Sequence, residues 1–211
     1  MALSKLAANS FDLTDNYALT GTVTGVTSTQ KIFLIKNIDA SSSSTVSFVD
    51  GSSSVVLDNT YKTYLFKFVN IHPETDAKRL GFQCSTDGGS SYGVTTTTTH
   101  FIGYHREDGS ASELSYKTAN DLAQSTDFIQ FEKCGNDNDQ CLSGILKLYN
   151  PSSTTFVKHF LGVSSNAHEY PAALNAYIAG YFNTTSAINA VQFKFDSGEI
   201  QGGTIDLFGV V

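Results

Sequence analysis

The amino-acid sequence predicts an all-β fold, an antiparallel β-sandwich or barrel, and three observations support this. The 211-residue chain holds 25 Ser, 23 Thr, 15 Phe and 10 Tyr, while only 16% of its residues are charged. This composition is typical of strands rather than helices. About ten short apolar runs are separated by turn signals at regular spacing, as in sandwiches and barrels. No parallel βαβ pattern occurs, so no crevice of the Rossmann type is expected.

Residues 1–30 differ in character from the rest of the chain. Their stretch ALTGTVTGVTSTQ is small, polar and β-prone, and it has little to bury. We interpret residues 1–30 as an N-terminal arm for attachment or oligomerisation, which gains order by docking onto a partner chain. A flexible leader is the alternative, since terminal segments are often poorly ordered. Residues 31–211 then form the β-sandwich domain.

The first elements of this domain follow from local apolar patterning. Residues 31–38 (KIFLIKNI) are predicted to form a strand, and residues 41–44 (SSSS) a loop. TVSFV and SSSVVL are predicted to form a hairpin around Asp50-Gly51. The longest strand signal is YKTYLFKFVNIH, which is apolar on both faces and is therefore expected to be central and covered on both sides. Pro73 is expected to end it, because proline cannot donate to a ladder.

Further strands are predicted along the middle of the chain. LGFQCST is followed by the turn DGGSS, whose glycines can take positive φ, and THFIGYH is the next strand. Residues 107–127 are ambiguous, because ASELSYKT alternates weakly like a strand while SELSYKTANDLAQ also has helical spacing. The interpretation that we favour is a strand plus a loop. DFIQFEK, SGILKLYN and TTFVKHFLG add three strands, with a turn at NPSS between the last two.

The C-terminal stretch, residues 181–211, carries the clearest pattern in the chain. Val191, Phe193 and Phe195 alternate with polar residues, which is the period of a half-buried strand. Ser197-Gly198-Glu199 interrupts the alternation, and a second alternating run follows. The sequence therefore predicts a C-terminal hairpin.

Several segments together resemble a family, the small β-sandwich virion structural proteins of tailed bacteriophages, often called tail-fibre proteins. The matching pieces are YKTYLFKFVNIHPETD, FQCSTDGGSSY, LSGILKLYNPSSTTFVKHFLG and YFNTTSAINAVQFKFDSGEIQGGTIDLFG, and the opening MALSKLAANS and ALTGTVTG are similar to leaders of such proteins. The closing pattern, Ile-Asn-Ala, alternating aromatics, Ser-Gly and Gly-Thr-Ile-x-Leu-x-Gly, is the most specific. The loop CGNDNDQC departs from the Gly/Ser-rich stretch usual in the family.

This resemblance implies a phage virion component with a jelly-roll-like sandwich, assembled as a homotrimer. The family pattern carries no catalytic residues, so none is transferred to this chain. We expect an oligomeric body in a tail fibre or spike that faces the host, bound to other virion proteins through the arm. A capsid decoration or cement protein is one alternative. A carbohydrate-binding module, which would bind a host surface glycan, is the other.

Composition and charge exclude several classes of partner. The net charge is −7, and the 13 Lys and Arg residues lie scattered, whereas nucleic-acid binding needs a concentrated basic surface. No apolar run is long enough for a membrane span, and the N-terminus has no apolar signal region. We expect assembly in the host cytoplasm and localisation in the virion.

The candidate metal and redox positions lie in one loop. Residues from Asn136 to Gln140 (NDNDQ) offer several oxygens that calcium favours, but they lack the glycine and glutamate of an EF-hand loop. A solvated hairpin tip is the default interpretation. Cys134 and Cys141 flank this loop and can face each other, but reducing compartments favour free thiols. Together with Cys84 they lack zinc-site spacing.

Other candidate sites are weaker. His100 and His105 are an odd number of residues apart, so on a strand they point to opposite faces and do not share a metal or act as a pair with Glu107 and Asp108. No nucleophile motif or local carboxylate pair occurs, so we expect no enzyme and no catalytic, cofactor-binding or metal residue. The tyrosines are candidates for a sugar-binding face, although packing at a sheet rim or interface is the favoured role. They are Tyr61, Tyr64, Tyr92, Tyr104, Tyr116, Tyr149, Tyr170, Tyr177 and Tyr181.

Overall fold

In a computed structural model, which describes residues 31–211, this part of the chain consists of strands joined by turns and loops. All strand pairs are antiparallel, which confirms the all-β prediction with antiparallel sheets. The predicted N-terminal arm, residues 1–30, lies outside the described residues. The strands are β1 (Ile32–Ser43), β2 (Val46–Val49), β3 (Thr63–Pro73), β4 (Lys78–Ser85), β5 (Thr96–Arg106), β6 (Ser112–Tyr116), β7 (Ile129–Cys134), β8 (Leu142–Tyr149), β9 (Lys158–Ala167), β10 (Ala172–Phe182), β11 (Ala190–Phe195) and β12 (Ile200–Val210).

The strands form a wide sheet and a narrow sheet. The wide sheet has eight strands in the order β1-β12-β3-β8-β9-β10-β5-β6, and the narrow sheet has four in the order β2-β11-β4-β7. Four pairings are nested within one another: β1 with β12, β2 with β11, β3 with β8, and β4 with β7. The remaining strands are two hairpins, β5-β6 and β9-β10, which pair side by side and continue the wide sheet beyond β8.

Aromatic side chains from both sheets meet in one core. Phe193 of the narrow sheet lies 5.2 Å from Phe66 and 5.3 Å from Phe68 of the wide sheet, measured between ring centroids. Phe82 of the narrow sheet similarly contacts Phe160 at 5.3 Å with its ring edge-on. Such tilted and edge-on contacts are the favoured arrangements for aromatic rings. The two sheets therefore pack face to face around a core that follows from the alternating aromatics of the sequence.

The predicted C-terminal hairpin is wrong. β11 pairs with β2 and β4 in the narrow sheet, whereas β12 pairs with β1 and β3 in the wide sheet. The Ser197-Gly198-Glu199 turn, where Gly198 has φ of 75°, therefore carries the chain from one sheet to the other. The alternation itself is confirmed, because Phe193, Phe195, Ile205 and Leu207 are all buried.

Other local predictions need correction as well. Residues 41–43, predicted as a loop, continue β1, and SSSVVL forms turns rather than a second hairpin strand. The wide sheet is covered by the narrow sheet on one face only, so β3 is central but not covered on both sides; Leu65 on its other face is half-buried. Residues 107–127 contain β6 and a loop, as favoured, and β3 ends at Pro73 as predicted. β10 was not predicted.

Candidate functional site

The outer face of the wide sheet, turned away from the narrow sheet, carries a row of apolar side chains. Five adjacent strands align these residues in register, and we call them the outer-face row: Tyr116, Phe101, Tyr177, Val163 and Ile145. Phe101 and Tyr177 stack with centroids 4.9 Å apart and planes 11° from parallel. The exposed fractions of Tyr116, Phe101 and Tyr177 are 51%, 41% and 40%. An antiparallel sheet with one face in water usually places polar residues at such positions.

A second row places apolar side chains on the strands beyond β8. Leu34, Phe208 and Leu65 are aligned on β1, β12 and β3, and Leu161 continues the same line on β9 after Lys147. Eight strands span seven gaps of about 4.8 Å, or about 34 Å. Four rows of outward residues cover about 20 Å along the strands, so the face measures about 700 Å². Polar side chains, among them Lys67, Asp206 and Lys147, share this face with the two apolar rows. Exposed aromatic and aliphatic side chains flanked by polar residues are typical of an interaction site.

A polar cleft of about 350 Å³ opens between the two sheets beside the edge strand β7. The cleft is lined by side chains from β4, β5, β7, β10, the β9-β10 loop and the segment after β6. Its lining residues are Arg79, Ile102, Tyr104, Arg106, Lys117, Glu132, Lys133, His168, Glu169, Tyr170, Ala172 and Leu174. We refer to this site as the polar cleft.

A β-bulge directs Glu132 into the polar cleft. Arg79 pairs with Lys133 and Gly81 with Gln130, so one residue of β4 stands opposite two of β7, Phe131 and Glu132. A bulge of this kind re-aims a side chain that regular alternation would send to the other face. As a result Phe131 is buried in the core while the neighbouring Glu132 is also buried.

The two carboxylates of the polar cleft each have one cationic partner. Oε2 of Glu132 lies 3.5 Å from Nε of Arg79, and Oε1 of Glu169 lies 3.1 Å from Nζ of Lys133. The exposed fractions of the Glu132 and Glu169 side chains are only 6% and 10%. Oε2 of Glu169 and Nε of Arg79 are buried without a hydrogen-bond partner. Each ion pair therefore has one buried atom that can still form a hydrogen bond: Nε of Arg79 as a donor in the first pair, and Oε2 of Glu169 as an acceptor in the second.

Two further cations at the polar cleft have no acidic partner within residues 31–211. The Arg106 guanidinium lies 5.8 Å from the centre of the Tyr170 ring, and neither Arg106 nor Lys117 forms an ion pair in this part of the chain. The cleft thus has four Lys or Arg side chains against two Glu, although the whole chain carries a net charge of −7. Local positive charge of this kind attracts anions.

Two histidines adjoin these charges. His100 on β5 is fully buried behind Glu132, with Nε2 4.0 Å from Oε1 of Glu132, and neither ring nitrogen has a hydrogen-bond partner in the structure. Burial lowers the pKa of His100, against the opposing effect of the Glu132 charge. Burial also lowers the pKa of His168, which lines the cleft. Both imidazoles are therefore held towards their neutral form.

The loop from Asn136 to Gln140 is tied to its surroundings by hydrogen bonds. Nδ2 of Asn136 donates to the carbonyl of Glu74 at 3.0 Å, and Nε2 of Gln140 donates to the carbonyl of His168 at 3.1 Å. Oε1 of Gln140 accepts from the amide of Asp137. No group of three or more His, Cys, Asp or Glu side chains in residues 31–211 is placed to hold a metal ion.

The three cysteines are free thiols, so Cys134 and Cys141 do not form a disulfide. Burial raises the pKa of Cys134 to about 12, and it also raises the pKa of Cys84 and of Cys141. Protonated thiols are poor nucleophiles and poor metal ligands. These residues are packing elements in this fold.

The remaining predicted candidates separate in space. His100 is buried and His105 exposed, on opposite faces of β5 as the odd spacing predicted. Asp87 closes a turn by accepting hydrogen bonds from Ser85 and Ser91, which lower the pKa of its carboxyl to about 2. Five of the nine candidate tyrosines fall in three settings: Tyr64 lies in the core, Tyr116 and Tyr177 on the outer face, and Tyr104 and Tyr170 at the polar cleft.

The charged residues of the polar cleft were not predicted as a site. They come from five segments that are far apart in sequence, and each is ordinary in its own segment. The one available signal was Glu132, a carboxylate between the buried Phe131 and Cys134 in a short strand. Acidic residues are rarely buried unless they are paired.

Comparison of the chain with protein-family models, curated proteins and solved structures found no match. In residues 31–211, no helix is long and apolar enough to cross a membrane. The site must therefore be interpreted from its own geometry.

Proposed function

We propose that this chain is a structural protein of a bacteriophage virion, an oligomeric β-sandwich on the particle exterior in a tail fibre or spike. The observation that carries the proposal is the apolar outer face of the wide sheet. A soluble chain that presents stacked aromatics and exposed leucines across eight strands needs a partner surface to cover them. The phage assignment rests on the resemblance of the sequence segments.

The occupant of the outer face is a second copy of the same chain. The face measures about 700 Å², close to the roughly 800 Å² that each partner buries in a standard protein interface. It combines exposed aromatic rings with aliphatic side chains, as interface centres do. A self-complementary or cyclic arrangement of copies would cover it on every subunit, and the resemblance favours a homotrimer.

The nested pairings support the finer assignment of a jelly-roll-like sandwich. In that arrangement a long hairpin folds over itself, so strands near the two ends pair first and inner strands pair within them. β1-β12, β2-β11, β3-β8 and β4-β7 follow this order. We assign residues 1–30 to the attachment of this body to other virion proteins.

The mass of the full chain in solution tests the proposal. Light scattering coupled to size exclusion should give three times the 22.7 kDa of one chain. Deletion of residues 1–30 should leave the chain trimeric, with three times the mass of the shortened chain, because the outer face lies in the body. The double change Leu161→Lys and Tyr177→Lys, which places two charges on the outer face, should give the monomer mass.

Phe156→Lys is the matched control, because Phe156 is 69% exposed but lies in the β8-β9 loop outside the outer-face row. It should leave the mass of the assembly unchanged. A chain that is monomeric at every concentration, or an assembly that survives the double change, would overturn the proposed role of the outer face.

A further inference from the structure

The polar cleft is a built cavity whose polar groups are incompletely used. Its volume of about 350 Å³ lies within the range of small-ligand sites in proteins. Glu169 is nine-tenths buried, yet its Oε2 has no hydrogen-bond partner, and Nε of Arg79 is in the same situation. Buried polar atoms are nearly always satisfied, so unsatisfied atoms that line a cavity point to a ligand or water that completes them.

The charge of the cleft selects an anionic group. Glu132 and Glu169 are paired with Arg79 and Lys133, and these four charges balance. Arg106 and Lys117 remain as the two cations without an acidic partner in the described part of the chain. The Arg106 guanidinium presents a planar fork of donors that matches a carboxylate, and Lys117 adds a second positive charge to the lining of the same cavity.

The acceptors of the cleft exclude a simple inorganic anion as the whole ligand. Sulfate has no hydrogen-bond donor for the buried carboxylate of Glu169, and phosphate, although it has P–OH groups near neutral pH, would place its negative charge against that carboxylate. A hydroxyl group, in contrast, donates a hydrogen bond to the unused Oε2 of Glu169. The ligand must therefore carry both an anionic group and hydroxyl donors.

One wall of the cleft is apolar. Ile102 and Leu174 are buried there beside Ala172, and the rings of Tyr104 and Tyr170 complete the lining. Aromatic and aliphatic side chains pack against the C–H face of a ring, while a few polar groups fix its orientation. A saturated ring with hydroxyl groups and a carboxylate matches the cations, the free acceptor of Glu169 and the apolar wall of this lining.

We propose that the polar cleft binds a sugar ring that carries a carboxylate. The carboxylate lies against Arg106, whose guanidinium adjoins Tyr170, while Lys117 adds positive charge at the end of the cavity beside His100. Ring hydroxyls donate to Glu169, and the C–H face packs on the Tyr104 and Leu174 side of the cavity. This site lies between the sheets and is separate from the outer face, so it stands or fails independently of the proposed assembly.

Titration calorimetry of the full chain with glucuronate tests the inference, with glucose and acetate as matched partial ligands. Glucuronate should bind saturably at one site per chain. Glucose lacks the carboxylate and acetate lacks the hydroxyls, so each should bind at least tenfold more weakly. Arg106→Gln should weaken glucuronate binding by roughly tenfold to a hundredfold, the range for a lost hydrogen bond to a charged group, and Lys117→Gln, which removes a more distant charge, should weaken it by a smaller factor.

Lys62→Gln is the control variant. Lys62 is exposed and lies just before β3 begins. The cleft adjoins the other end of β3, where His72 contacts Gln140, which in turn donates to the carbonyl of His168. It should leave glucuronate binding unchanged. Absence of saturable glucuronate binding, equal binding of glucose or acetate, or unchanged affinity in both cleft variants would each overturn the inference. Two separate cleft variants keep the test decisive if one of them fails to fold.

Discussion

The eight nested strands and the four strands added to the wide sheet differ in what they bury. The four-strand extension consists of β9, β10, β5 and β6. The nested strands bury a set of aromatic side chains: Phe48, Phe66, Phe68, Phe82, Phe131 and Phe193. The extension also buries apolar side chains, such as Phe160 and Ile178, but its inward face holds six of the nine buried polar residues of the described chain: Thr96, Thr98, His100, Lys158, Ser164 and Asn166.

The nested strands therefore supply most of the apolar core that stabilises the fold, whereas the extension carries most of the two candidate interaction sites. The extension is anchored to the aromatic core through Phe160 and Phe182, which pack on Phe82. Most of the outer-face row lies on the extension, and the polar cleft opens where its inward face meets β7. Binding sites built on strands that a rigid core supports can tolerate a polar interior, because the core supplies the stability.

The largest expected effect is the loss of a core ring from the nested strands. Phe193→Ala removes a ring that contacts Phe48, Phe66, Phe68 and Phe82. Such a cavity should lower the free energy of unfolding by about 3–5 kcal/mol. Urea denaturation followed by circular dichroism measures the change.

Phe101→Ala on the extension is the matched control for this change. It removes the stacking of Phe101 on Tyr177 and should cost about 1 kcal/mol when both variants are measured at a concentration low enough for the chain to be monomeric, because Phe101 also lies on the proposed assembly surface. If the two variants lost equal stability, the distinction between a stabilising core and a functional extension would be wrong.

At Lys158 of the extension, a substitution is expected to raise the free energy of unfolding, by less than the loss expected for Phe193→Ala. Its side chain is fully buried, donates to the carbonyl of Thr184 at 3.1 Å and forms no ion pair within residues 31–211. Burial lowers the pKa of Lys158. Lys158→Met should therefore raise the free energy of unfolding by about 1–2 kcal/mol at pH 7.

The gain from Lys158→Met should shrink as pH rises. The charged lysine is disfavoured in the folded state, so the wild-type penalty is full below the lowered folded pKa. The penalty disappears as pH passes through the ordinary lysine pKa of about 10.4. Lys62→Met at an exposed position should change stability by less than about 0.5 kcal/mol. A Lys158→Met variant that is less stable than the wild type would contradict the prediction.

The strands of the nested set were largely predictable, whereas sheet membership was not. Alternation at β11 and β12 predicts two half-buried strands, but a glycine turn within one sheet looks the same in sequence as a turn between sheets. β10 is not predicted because its AALNAYIAGYF holds four Ala and one Gly, which are weak strand formers. Its pairing with β5 and β9 determines its structure instead.

The candidate site was less predictable than the fold for a related reason. Tyrosines at an interface were anticipated, and Tyr116 and Tyr177 do lie on the exposed face. The polar cleft, however, depends on the bulge that turns Glu132 inward and on a loop that brings Glu169 to Lys133. Neither feature has a local sequence pattern, since both arise only when the sheets pack.

The smallest expected effect concerns pH and the buried His100 of the extension. Because burial lowers the pKa of His100, the folded state takes up its proton at lower pH than the unfolded state does. The positive charges of Arg79 and Lys117 lower this pKa further, while the negative charge of Glu132 opposes them. Below about pH 6.5 the unfolded chain therefore binds more protons, and stability should fall as pH falls.

His100→Gln should make that decline shallower, by as much as about 1.4 kcal/mol per pH unit between the ordinary histidine pKa and the lowered one. Below the lowered pKa the two proteins should decline in parallel, since His168, whose pKa burial also lowers, titrates in both. Urea denaturation of both proteins from pH 7.5 to 4.5 measures the two slopes, and His159→Gln on the exposed outer face provides the control. Equal slopes for the wild type and the His100 variant would mean that the interior of the extension readily accommodates a protonated imidazole beside Glu132. The inward face of the extension would then tolerate a buried charge, in contrast to the apolar core of the nested strands.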